Sequence, residues 1–260
     1  MSLFTRRRRR PAAEGVHLSE EDGIRYLHLG SDTIQSGMRM SDPTELVLSY
    51  TRSMLAFLLF MPQPPMRLVN IGLGGGSLAK WVHRHLRRTQ QVVVELNPQV
   101  IACARLYFHL PPDDSRLKVI QADGAAWVAE HPRCCDTILV DGYDGRALAT
   151  ELSDDAFYAS TAVALDPDGI LVVNLWGNDR RFDANLQRIQ RHFDGRVCCV
   201  PAAQRGNVAV LAFRGQPQGT RWDELRMRAQ ALQHQYGIEF PDLVGSMKAL
   251  NPHTAVRLLI

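Results

Sequence analysis

Long apolar runs are missing from this 260-residue sequence: no window holds the roughly 18 uninterrupted apolar residues of a membrane-spanning helix, and the nearest candidate is the mixed stretch Met54–Met61. A soluble chain with no membrane partner is expected. Cysteine is scarce, five in all, and neither adjacent pair, Cys134-Cys135 or Cys198-Cys199, has the two-residue gap of a zinc knuckle. Neighbours on a strand point to opposite faces, so both pairs read as strand packing residues in a reducing cytoplasm. No His-Glu-x-x-His pattern occurs among the nine histidines, and His83 and His85 read as surface or packing residues, so no metal site is expected. Lysine is nearly absent, 3 against 27 arginines, which is a coding bias rather than chemistry.

Charge of one sign is also lacking. The formal net charge is +3, but setting Arg6–Arg10 aside leaves 25 basic against 27 acidic residues, so the body is near neutral. That argues against a nucleic-acid partner. The arginine run, followed by Pro11, Ala12 and Ala13 with no apolar stretch behind them, reads as a solvated tail rather than a secretory signal. What remains, 45% apolar and 22% charged, is ordinary globular composition.

The sequence is expected to divide into a disordered basic tail (1–14), a β-hairpin and helix (15–62), an α/β domain (63–215) and a helical extension (216–260). Alternation from His17 to Met40 around the turn signal Gly30-Ser31-Asp32 predicts the hairpin, and apolar spacing over Glu45–Phe60 predicts a helix that Pro62, Pro64 and Pro65 end. Strands are predicted at Arg67–Ile71, Gln91–Glu95, Leu117–Gln121, Thr137–Asp141, Ile170–Leu175, Val197–Val200 and Val208–Phe213. Helices are predicted at Ser77–Arg87, Pro98–Phe108, Ala125–His131, Asp154–Leu165, Phe182–His192 and Arg221–Tyr236, with a short one within Pro241–Leu250. This rhythm is that of a doubly wound, seven-stranded, mostly parallel α/β sheet.

Ligands bind such sheets at the carboxyl ends of the strands. There the sequence places Gly72, Gly74, Gly75 and Gly76, a loop whose backbone can approach a ligand, and Glu95, 19 residues after Gly76, which can accept both hydroxyls of a ribose. Asp123-Gly124 and Asp141-Gly142-Tyr143-Asp144 end two further strands. Asp141 closes the apolar run Ile138-Leu139-Val140, and a carboxylate at a buried strand end is a site candidate. A helix cap for Asp141 and a turn residue for Asp144 are the structural alternatives.

The order of these pieces resembles the spermidine synthase (polyamine aminopropyltransferase) family, a branch of the class I S-adenosylmethionine-dependent methyltransferase-like Rossmann fold. The resemblance runs from about Ile24 to Arg214. It rests on Leu29-Gly30-Ser31-Asp32-Thr33-Ile34-Gln35, the glycine loop, Val94-Glu95-Leu96-Asn97-Pro98, Gln121-Ala122-Asp123-Gly124, Val140-Asp141-Gly142-Tyr143-Asp144 and Phe157-Tyr158. It implies that Gln35 touches the nucleoside, Glu95 holds the ribose, Asp123 meets the adenine amino group, Asp141 is the catalytic carboxylate and Asp144 pairs with a cationic amine. Tyr143 would orient the acceptor or cover the site. It further implies a homodimer, a small-molecule amine as partner, and decarboxylated S-adenosylmethionine as co-substrate with no prosthetic group.

Gly75 stands where the family carries an Asp for the donor's ammonium, which removes one repulsion against intact S-adenosylmethionine. Leu48-Ser49-Tyr50-Thr51-Arg52 replaces a Tyr-His-Glu-like acceptor segment, with Arg52 a poor neighbour for a polyamine, and Gly145-Arg146 replaces a Pro-rich loop. Three readings follow: aminopropyl transfer in polyamine biosynthesis, methyl transfer from S-adenosylmethionine to a small nucleophile, and a silent nucleoside-binding member of the fold. A NAD enzyme is disfavoured, because the loop lacks Gly-x-Gly-x-x-Gly spacing.

Overall fold

The computed structural model describes residues 15–30, 33–143, 148–204 and 206–260. The tail at 1–14, Ser31-Asp32 and the segment holding Asp144, Gly145 and Arg146 lie outside the described residues.

The chain opens with three antiparallel strands, β1 (Val16–Glu21), β2 (Ile24–Leu29) and β3 (Ile34–Arg39), where the sequence reading expected a two-stranded hairpin. The extra strand comes from Asp22-Gly23, whose φ angles of 50° and 73° make the two-residue reversal that right-twisted strands favour. Helix α1 spans only Ser49–Met54 and tightens into a 3-10 turn at Leu55–Leu59, instead of starting at Glu45. Arg52 explains the late start: its guanidinium takes the carbonyls of Leu46 and Val47, and Leu48 is extended. The turn residues Leu55 to Leu59 are all buried, so this segment is a core plug rather than an amphipathic helix.

The main sheet has the order β6-β5-β4-β7-β8-β10-β9. Its strands are β4 (Arg67–Ile71), β5 (Gln90–Glu95), β6 (Leu117–Gln121), β7 (Cys135–Val140), β8 (Leu165–Trp176), β9 (Val197–Pro201) and β10 (Asn207–Phe213). Six run in one direction, β6, β5, β4, β7 and β8 as parallel neighbours and β9 beyond β10, which is antiparallel to both β8 and β9. Strand β8 starts five residues earlier than expected, because Leu165 pairs with Cys135 before the register shifts at Thr137. The helices are α2 (Ser77–His85), α3 (Pro98–Tyr107), α4 (Gly124–Glu130), α5 (Asp155–Ala164), α6 (Phe182–His192), α7 (Trp222–Tyr236) and α8 (Phe240–Ser246). None of the described helices is long and apolar enough to cross a membrane.

Alternation along the strands splits the core in two. Leu139, Val172 and Leu211 face α2, α7, α8 and the 3-10 plug, while Ile138, Leu171, Val173 and Val210 face α5 and α6. Cys198 and Cys199 fall one on each face, as expected. Cys134 and Cys135 do not: Cys134 precedes β7, and the two sulfurs lie 3.6 Å apart.

The C-terminal extension is bound into this core. Trp222 and Leu225 are buried against the sheet, and Arg228 donates to the carbonyls of Leu58 and Met61. Strand β9 is the sheet's edge, and buried Asn251 closes it: its Oδ1 accepts from Cys199 N (2.7 Å), and its Nδ2 donates to Cys199 O (2.7 Å) and Met247 O (2.6 Å). One side chain thus stands in for a neighbouring strand. Asn251→Ala leaves these backbone groups without partners and is expected to cost about 2–4 kcal/mol in urea unfolding. A loss below about 0.5 kcal/mol would show that the edge needs no such closure.

Candidate active site

In the sheet order the chain turns back at β4, with β5 and β6 laid on one side and β7 and β8 on the other, so the crevice between β4 and β7 is the topological switch point. Above it lies a cavity of about 1,110 Å³, larger than the roughly 300–1,000 Å³ typical of one small ligand. It can hold two substrates side by side.

Its floor is set by Gly72, which leaves β4 at φ 92° and packs so closely on the next strand end that a Cβ there would sit 2.4 Å from the Asp141 carbonyl oxygen. Gly72 N donates to Val94 O (2.9 Å), and Asp141 N donates to Ile71 O (2.8 Å). Three strand ends are thereby drawn together. Glu95 is then fixed by backbone donors, with Oε2 accepting from Leu73 N (2.9 Å) and Oε1 from Asn97 N (2.8 Å), while burial raises its pKa against those bonds. Asp123 also lines the cavity, and its Oδ1 caps α4 through Ala126 N (2.8 Å).

Asp141 is no helix cap. Its Oδ1 accepts from Asn174 Nδ2 (2.8 Å), its Oδ2 accepts from Tyr50 OH (3.0 Å), and burial raises its pKa despite both bonds. Asn174 Oδ1 accepts from Asn207 Nδ2 (3.0 Å), which fixes the amide with its donor end toward Asp141. Tyr143 lines the cavity with its hydroxyl donating to Asn174 O (3.1 Å), and burial raises its pKa. Gln35, Gly74 and Gly124 complete the expected wall.

Several expectations are corrected. Gly75 and Gly76 are not part of the cavity wall: a Cβ on Gly75 would lie 2.7 Å from the Phe108 ring and 2.8 Å from Ser36 Oγ, and one on Gly76 would lie 2.9 Å from Leu110. An Asp at position 75 therefore has no room in this packing. Arg52 is not a cavity neighbour either, since it pairs with Glu239 on the C-terminal side (2.5 Å). Phe157 and Tyr158 are buried in the core and do not line the site.

Tyr50, Asn174, Asn207 and Glu151 are site residues that sequence reasoning passed over. Tyr50 lies in the segment that departs from the family's acceptor motif, Asn174 interrupts the apolar run of β8, where an isolated amide is the available signal, and Asn207 opens β10 directly after Gly206. Among the described lining residues four are acidic (Glu95, Asp123, Asp141 and Glu151) and none is Lys, Arg or His. Such a wall favours cationic ligands. Gly72→Ala, which drives a methyl group into the Asp141 carbonyl at positive φ, is expected to lower stability by about 2–4 kcal/mol in chemical denaturation. A neutral result would mean that the β4–β7 approach is looser than drawn.

Comparison with known proteins agrees with this architecture. A family model described as the spermine/spermidine synthase domain matches residues 48–219. A curated polyamine aminopropyltransferase of Chromobacterium violaceum is 45% identical over 98% of this chain and 98% of its own. One from Neisseria meningitidis serogroup A is 44% identical, covering 97% of each. A spermidine synthase solved with the transition-state analogue AdoDATO superposes with a TM-score of 0.69 at 19% identity, covering 90% of this chain and 85% of that one, and so shares the fold. With the family match spanning most of the chain and the curated relatives spanning nearly all of it, the chain belongs to the spermine/spermidine synthase family.

Proposed function

We propose that the protein transfers an aminopropyl group from decarboxylated S-adenosylmethionine to a small amine. The observation that carries this reading is the cavity wall, acidic at four described positions and basic at none. A decarboxylated donor brings a sulfonium and an ammonium, and the acceptor brings further ammonium groups. The intact donor adds a carboxylate, for which the described wall offers no cation.

In this reading Glu95, locked by Leu73 N and Asn97 N, accepts the ribose hydroxyls, and Asp123 and Gln35, which line the same cavity, serve the rest of the nucleoside. The reacting amine must lose a proton before its lone pair can attack the methylene carbon beside the sulfonium. Asp141 accepts that proton, and Tyr50 and Asn174 hold the carboxylate in one orientation. The new C–N bond forms as the C–S bond breaks with its electron pair going to sulfur, so the leaving thioether is neutral and needs no acid. Asp144, in the family's motif, is assigned to the acceptor's distant ammonium. Tyr143, held by Asn174 O, forms a side of the acceptor space.

Calorimetric titration with the decarboxylated and intact donors is expected to favour the decarboxylated form at least tenfold, with methylthioadenosine released in the presence of a diamine. Preference for the intact donor would overturn the reading in favour of methyl transfer.

The base assignment has its own tests. Asp141→Asn should lower kcat by about 10²–10⁴-fold while leaving the melting temperature at neutral pH unchanged or higher, since a carboxylate whose folded pKa is raised contributes no stability above that pKa. Because Asp141 must be ionised to act, kcat/KM should fall on the acid side at a pH above the ordinary carboxylate range. Asn174→Ala removes a bond that holds the pKa down, so this limb should move to higher pH. The amine's own ionisation is common to both enzymes and cancels in the comparison. A limb that moves to lower pH, or stays put, would dissociate Asn174 from the base.

A further inference from the structure

A second concavity, of about 580 Å³, is built on the same helix α2 that begins beside the acidic cavity. Its titratable lining residues are Lys80, His83, Arg84, Arg87, His109 and Arg116, with no carboxylate among those that line it. The first four follow the spacing i, i+3, i+4, i+7, one stripe along α2 and its C-terminal continuation. His109 is added by the turn after α3, and Arg116 by the entry to β6.

The internal partners of these groups account for only part of the charge. Lys80 is 2% exposed, and its Nζ donates to the Phe108 carbonyl (2.7 Å), a neutral acceptor. His83 pairs with Asp114 (2.9 Å), and Arg116 donates to the His83 carbonyl (2.9 Å). Arg84 and Arg87 are exposed and bond no carboxylate among the described residues. Asp42 is the nearby acid that feels Arg84; its hydrogen bond from the neutral Thr44 leaves its charge in place, so it offsets Arg84 in part. Like charges three and four apart on a helix repel, and a buried ammonium with a carbonyl as its bonded partner is poorly compensated. A merely solvated helix face has no need of either feature, nor of concavity.

We propose that this concavity is a binding site for a small phosphate-bearing anion, a di- or triphosphate held by the guanidinium groups of Arg84, Arg87 and Arg116 above the buried Lys80. Guanidinium forks match pairs of phosphate oxygens, and several cations converging on one hollow suit a multiply charged anion better than a single carboxylate. The volume lies within the range of small-molecule sites.

The test is calorimetric titration of the full chain with sodium tripolyphosphate and, separately, with UTP, which lacks the adenine that the first cavity would accept, at 0.15 M salt. Saturable one-to-one binding of either probe is expected, weakened at least tenfold in Arg84→Ala/Arg87→Ala. It should be unchanged within twofold in Arg214→Ala/Arg226→Ala, which removes the same charge from exposed positions elsewhere. Equal affinity for both probes identifies the triphosphate as the recognised group; preference for UTP identifies a nucleotide source. No saturable binding at millimolar probe, equal weakening in the control variant, or tighter binding of a short DNA duplex than of either probe would each overturn the proposal.

Discussion

The site depends on one close approach. Gly72 leaves β4 with no side chain and at positive φ, and the Asp141 carbonyl of β7 occupies the space that a Cβ would need. That contact closes the switch point from below. With it in place, the loop's next amide, Leu73 N, reaches Glu95, while Asp141 is turned upward with its own amide tied to Ile71. Any larger residue would part β4 from β7 and separate Glu95 from Asp141.

Around that contact the protein spends little on flexible chemistry. Asp141 is oriented by a relay of neutral groups, Asn207 to Asn174 to the carboxylate, with Tyr50 on the other oxygen. Neutral donors hold the carboxylate without cancelling its charge, whereas an arginine in the same place would depress its pKa and compete with the substrate cation. The exclusion of Arg52 follows the same logic. Drawn into a pair with Glu239 and into the carbonyls of Leu46 and Val47, it ends the extended chain before α1 and keeps its charge on the far side of that helix.

The sheet was legible because each strand is a short apolar run bounded by turn residues, and β4, β6 and α6 begin and end where periodicity places them. Gly72, Glu95, Asp123 and Asp141 were legible because strand carboxyl ends are where such sheets bind ligands. What was not legible depends on through-space packing. The side to which Gly75 faces is decided by Phe108, 33 residues away, and the fate of Arg52 is decided by Glu239, 187 residues away. The third N-terminal strand was signalled by Asp22-Gly23, a local turn cue that the alternation around it obscured.

The charge of the cavity wall also bears on what happens after the bond is made. In the proposed transfer the product carries one more ammonium than the amine that entered, while the spent nucleoside leaves without its sulfonium charge. With four carboxylates and no Lys, Arg or His among the described lining residues, the wall attracts the longer product, with its additional charge, more strongly than the amine that entered. By that reading the departure of the longer product is a step that added salt, which screens the wall, should ease.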